Sequence, residues 1–123
     1  MVLTDAHIHF FSHQFFSLLS GDVQETCHKL NWAVPPESPE ELAGQWVKEL
    51  DQAGVSRAAL IASIPGDAGS VIRARKAYPD RFLSYGMVNP LVNTSPDPEL
   101  DAVCLFPAMH GFSIASAESI QVL

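Results

Sequence analysis

The chain has 123 residues, 47% of them hydrophobic and 17% charged, with a net charge of −7. Seven basic residues against fourteen acidic ones leave no electrostatic footprint for phosphate, so nucleic acid is not an expected partner. The longest apolar run, Ala58 to Ile64 with Ser63 inside it, has the length of a buried strand and falls short of the ~18 residues of a membrane span. No basic residue precedes Asp5 as a signal peptide would require. The expectation is a cytoplasmic protein with no membrane partner, in which Cys27 and Cys104 are reduced thiols.

In chain order, Val2 to Phe11 reads as a strand that is apolar on both faces, as in a covered parallel sheet. Ser12 then caps a short helix carrying Phe15, Phe16 and Leu19, with Gly21 just past its end. A polar excursion from Asp22 to Glu37 follows, with Trp32 and the Pro35-Pro36 pair. A connection of this length after the first strand is placed to fold over a strand-end site. Ser38-Pro39-Glu40-Glu41 is a helix start, with a capping serine, proline at the first helical position and glutamate three after the cap. The helix carries Leu42, Trp46, Val47 and Leu50 on one stripe and stops at Gly54.

Arg57 to Ile64 reads as a second strand, buried on both faces, and Pro65-Gly66-Asp67 turns the chain. Asp67 caps a third helix through Val71, Ile72, Ala74 and Arg75, which ends near Tyr78 because Pro79 disfavours helix before it. On that helix Arg73, Arg75 and Lys76 read as a solvated face. Phe82 to Val88 is strand three and Ala102 to Phe106 is strand four, with only a proline-broken stretch where another crossover helix is expected. Repeated strand, helix, strand spacing specifies an α/β fold with a parallel sheet, and ligands of such folds gather at the carboxyl ends of the strands.

Asp5-Ala6-His7-Ile8-His9 is where the chemistry concentrates. Strand side chains alternate faces, so Asp5, His7 and His9 are expected on one face. Two neutral imidazoles converging from one strand can hold a divalent cation such as zinc, and the carboxylate is available to bind metal or to orient a ring from behind. The competing reading is a chance His-x-His on a surface strand, which the apolar flanks Leu3, Ile8, Phe10 and Phe11 weigh against. Asn89, after strand three, and His110, after strand four, are candidate substrate contacts. Their alternatives are a turn residue and an exposed loop histidine. Cys104 reads as core, and a metal role for Cys27-His28 is disfavoured because adjacent residues on an extended segment point apart.

Asp5-Ala6-His7-Ile8-His9-Phe10, Leu50-Asp51-Gln52-Ala53-Gly54-Val55, Tyr78-Pro79-Asp80-Arg81-Phe82, Val88-Asn89-Pro90 and Leu105-Phe106-Pro107-Ala108-Met109-His110 follow one another in an order that resembles the amidohydrolase-related family, from about Val2 to His110. The resemblance implies a (β/α)8 TIM barrel whose divalent metal, usually zinc, is held by His7 and His9 at the carboxyl end of strand one. It implies a metal-dependent hydrolase cleaving C–N or C–O bonds or opening lactones, or a non-oxidative decarboxylase. The substrate is then a small carboxylate, amide or lactone, and a metal-bound water or a polarised carbonyl does the chemistry.

A complete barrel takes about 250 residues, so the chain reads as an amino-terminal half-barrel, roughly four strands with their helices. Residues 1–112 form that half and 113–123 a tail without a clear period. The family takes its other metal ligands and its catalytic aspartate from later strands. Two ligands are half of a zinc site, leaving His110, His28, His13 or a carboxylate to complete it. Open sheet edges favour self-association. Two expectations follow: a hydrolase part that is inactive alone unless it assembles, or a non-catalytic half-barrel remnant acting as a self-associating interaction module.

Overall fold

The computed structural model describes residues 2–89 and 95–105. The elements are β1 (Thr4–His9), α1 (His13–Ser20), α2 (Val23–Leu30), α3 (Pro39–Ala53), β2 (Arg57–Ile61), α4 (Ala68–Ala77), β3 (Phe82–Val88) and β4 (Ala102–Leu105). The strands form one parallel sheet in the order β1-β2-β3-β4. Parallel neighbours cannot be joined by a hairpin, and α3 and α4 serve as the crossovers into β2 and β3. Among the described residues no helix joins β3 to β4. Residues 95–101 are irregular, and Asp101 ties that segment to the sheet by accepting the backbone N–H of Ser84 at 2.7 Å and its hydroxyl at 3.0 Å.

One face of the sheet is covered by α3 and α4. Ile8 and Phe10 from the first strand and its extension, Ala58, Leu60 and Ala62 from the second, and Phe82 from the third pack against Leu42, Ala43, Leu50, Val71 and Ala74. The alternation of β2 sets Ile61 and Ser63 on the opposite face, in line with His9, which is registered with Ile61 and through it with Tyr85. α4 is further held by an Arg73–Glu40 fork with both contacts at 2.8 Å and by a Lys76–Glu99 pair, so the basic face expected to be merely solvated is paired as well.

Three local expectations are corrected. First, the polar excursion contains a helix, α2. Asp22 accepts the N–H of Glu25 at 2.9 Å, Asn31 closes the helix in the left-handed conformation (φ 56°), and Val23 with Cys27 buries a one-turn stripe against Phe16. Cys27 is therefore a core thiol on a helix, whereas Cys104, expected in the core, is only half-buried.

Second, Asp67 stands at the head of α4 without capping it. Its two carboxylate oxygens accept the hydroxyls of Ser12, at 2.6 Å, and Ser70. Third, β1 carries a bulge. Between Asp5 and Ile8 it advances three residues while β2 advances two, from Ala58 to Leu60. The extra residue reverses the alternation, so Asp5 is registered with core-facing Ala58 while His9 is registered with Ile61 on the other face. Phe106 and the 113–123 tail lie outside the described residues.

Candidate metal centre

β1 ends at the pair it was expected to present. The Nε2 atoms of His7 and His9 are 3.0 Å apart, with ring centroids at 4.7 Å and planes at 72°. Two N–H groups cannot face each other at that distance, so at least one of the nitrogens is an unprotonated acceptor. His7 is exposed and His9 half-buried. The His9 ring lies flat on Phe11, centroids 5.5 Å apart and planes 6° apart, and its Nδ1 is 2.7 Å from the Oγ of Ser63. One nitrogen of His9 is thus anchored to the segment after β2 while the other faces His7.

The spacing suits a cation. Two zinc–nitrogen bonds of about 2.0–2.1 Å at a tetrahedral angle place their nitrogens about 3.3 Å apart. The observed 3.0 Å is within reach of that by small ring rotations, and it is equally an ordinary hydrogen-bond distance. The pair can therefore share a proton when no cation is bound and open slightly around one.

The remaining donors do not gather here. Among the described residues no group of three or more His, Cys, Asp or Glu side chains is arranged to hold a metal ion. Asp5, placed out of phase by the bulge, accepts the backbone N–H of His7 at 2.9 Å, which steadies the strand rather than an imidazole. His13 heads α1 and lines a separate cavity of about 600 Å³ with Asp67 and Arg73, and His28 is exposed on α2. His110 lies outside the described residues. Asn89 sits one residue past β3, partly buried, and is not among the residues lining the cavity beside His9.

That cavity, about 190 Å³, is bounded by His9, Phe11 and Phe16, by the 32–35 segment after α2, and by Leu42, Gln45 and Trp46 of α3. The 600 Å³ cavity is larger, but it opens among helix ends away from the histidine pair. The smaller one touches His9 at the carboxyl end of β1 and forms the approach to the histidine pair. Its walls are mainly apolar: Phe11 lies 6.3 Å from Phe16 and 5.5 Å from Trp32, ring centre to ring centre. The excursion after α1 does fold over the strand end.

Two residues were not legible as parts of this arrangement. Ser63 is one polar position in an apolar run; the available signal is its place near the carboxyl end of the strand read over Arg57 to Ile64, beside the histidine strand. Asp67 read as a helix cap. It is instead a buried group whose carboxyl is pushed above its usual range by burial, partly offset by the hydroxyls of Ser12 and Ser70. Its bond to Ser12 fastens the start of α1 to the loop that also carries Ser63. No family model, no curated protein and no solved structure matches this chain.

Proposed function

We propose that this chain is the metal-holding, amino-terminal part of an amidohydrolase-related (β/α)8 barrel, a hydrolase or non-oxidative decarboxylase acting on a small carboxylate, amide or lactone. The observation that supports the reading is the convergence of His7 and His9 Nε2 at the carboxyl end of β1, 3.0 Å apart, in a parallel sheet of consecutive strands. Carboxyl strand ends are where folds of this class bind ligands and do chemistry. A bound divalent cation would supply Lewis acidity toward a carbonyl or carboxylate. His7 and His9 would hold it, Phe11 would fix the plane of the His9 ring, and the wall formed by Phe16, Trp32 and Trp46 would exclude water from one side.

The test is titration with zinc and with cobalt(II). Two imidazoles satisfy half of a four-coordinate site, so binding is expected to be weak, with zinc lost on dialysis and cobalt absorption abolished in His7→Ala and His9→Ala. Absence of any histidine-dependent binding would overturn the reading.

The second reading is a non-catalytic half-barrel module that self-associates. It is favoured by the sheet order, which leaves β1 and β4 with a strand neighbour on one side only among the described residues. Light scattering across a concentration series separates the two. Metal-dependent turnover of esters, lactones, amides or hydroxybenzoates confined to an assembled form supports the enzyme, and assembly without metal binding supports the module.

A further inference from the structure

We infer that Ser63 is a positioning residue for the metal site: its Oγ accepts the Nδ1–H of His9 and holds that ring in the tautomer whose Nε2 lone pair faces His7. The inference rests on the proposed metal role of the pair for its purpose, but not for its geometry. Ser63 is 7% exposed, so its hydroxyl proton must be placed within the protein. Among the described residues two acceptors are in reach: His9 Nδ1 at 2.7 Å and the carbonyl of Ile61 at 3.4 Å.

These give two proton arrangements with opposite consequences. If the hydroxyl donates to His9, the proton of that ring sits on Nε2 and points at His7. The coordinating lone pair is then absent. If the hydroxyl donates to Ile61, its own lone pair faces His9, Nδ1 carries the proton and the Nε2 lone pair faces His7.

The second arrangement accounts for more of the contacts. It uses the Ile61 contact, and it orders a chain from His7 Nε2–H through His9 to Ser63 and the Ile61 carbonyl, each link a donor meeting an acceptor. Stacking on Phe11, with planes 6° apart, fixes the plane in which both ring nitrogens lie. Imidazoles that bind metal ordinarily donate their other N–H to a fixed acceptor, which sets both the tautomer and the ring direction, and loss of such an acceptor costs about 10–100-fold in metal affinity. A hydroxyl backed by a main-chain carbonyl does this without adding a charge.

The test is a long-range 1H–15N spectrum of the metal-free chain, carrying 15N-labelled histidine, above the pH at which the rings are neutral. Assignment comes from the His7→Ala and His9→Ala spectra. Wild type is expected to show His9 as the Nδ1–H tautomer, Ser63→Ala to lose that preference, and Ser63→Thr, which keeps the hydroxyl, to restore it. Zinc titration should show Ser63→Ala weaker by about tenfold or more with Ser63→Thr near wild type. An Nε2–H tautomer in the wild type, or a tautomer unmoved by Ser63→Ala in a chain whose circular dichroism matches wild type, would overturn the inference. If the wild-type tautomer is as expected and zinc does not bind, the positioning contact stands and the metal reading falls.

Discussion

Asp67 offers the sharpest perturbation of the frame behind the site. It is 1% exposed, and its carboxylate takes the hydroxyls of Ser12 and Ser70. Asp67→Ala removes both bonds and leaves two buried hydroxyls short of an acceptor, although Ser12 still caps α1 by accepting the N–H of Phe15 at 2.9 Å. At about 1–1.5 kcal/mol net per bond the loss is about 2–3 kcal/mol, which in a chain of this size lowers Tm by roughly 10 °C. Asp67→Asn keeps one acceptor oxygen, replaces the other with an amide donor that a serine oxygen can accept, and removes the ionisation.

Burial is the main cause that raises the folded-state pKa of Asp67 above its ordinary value of 3.8. Between those two values the folded chain binds more protons than the unfolded one. The contribution of this group is therefore fully present below pH 3.8 and is lost as pH rises through the folded pKa. The stability of Asp67→Asn minus that of wild type should accordingly increase with pH across this window and then level off. Urea unfolding followed by the fluorescence of Trp32 and Trp46, repeated over a pH series, measures it. A difference that is flat or falls with pH, or an alanine variant as stable as the asparagine one, would refute the reasoning.

Two further outcomes test the packing that shapes the site. Phe16 is 2% exposed and meets Phe15 edge-on at 5.0 Å and Trp32 at 6.2 Å; Phe16→Ala should cost about 3–5 kcal/mol in urea unfolding and leave the His9 wall open, seen as a red shift in tryptophan emission. A Cβ added at Gly86 of β3 would meet the side-chain tip of the partly exposed Leu100, so Gly86→Ala should cost about 1 kcal/mol, the low end for overpacking. Part of that cost should be recovered in the double variant with Leu100→Ala, measured as a coupling in a double-mutant cycle.

Signals that act within a few residues of chain were legible from the sequence alone. Ser38 followed by Pro39 and Glu41 opens α3 and Gly54 closes it; Ser12 and Gly21 bound α1; the apolar runs mark β2 and β3; and the His-x-His spacing sets two imidazoles on one face of a strand. Each depends on local hydrogen-bonding need or on the side-chain period of an uninterrupted stretch of helix or strand. α2 escaped because its pattern is weak: two buried residues, Val23 and Cys27, make sense as a helix only once Phe16 is there to receive them.

Tertiary structure decided the rest. A bulge is a mismatch between two strands, so the phase of Asp5 relative to His7 and His9 could not be counted along β1 alone. Asp67 had the sequence of a helix cap, yet folding offered it the hydroxyl of Ser12, 55 residues away, and burial made those partners preferable to backbone amides that water or the helix could satisfy. Ser63 meets His9 across 54 residues for the same reason. The sequence determined which imidazole nitrogens are the candidate ligands. Contacts distant along the chain, formed where a buried donor or acceptor must find a partner inside the protein, decided how the ring that carries one of them is held.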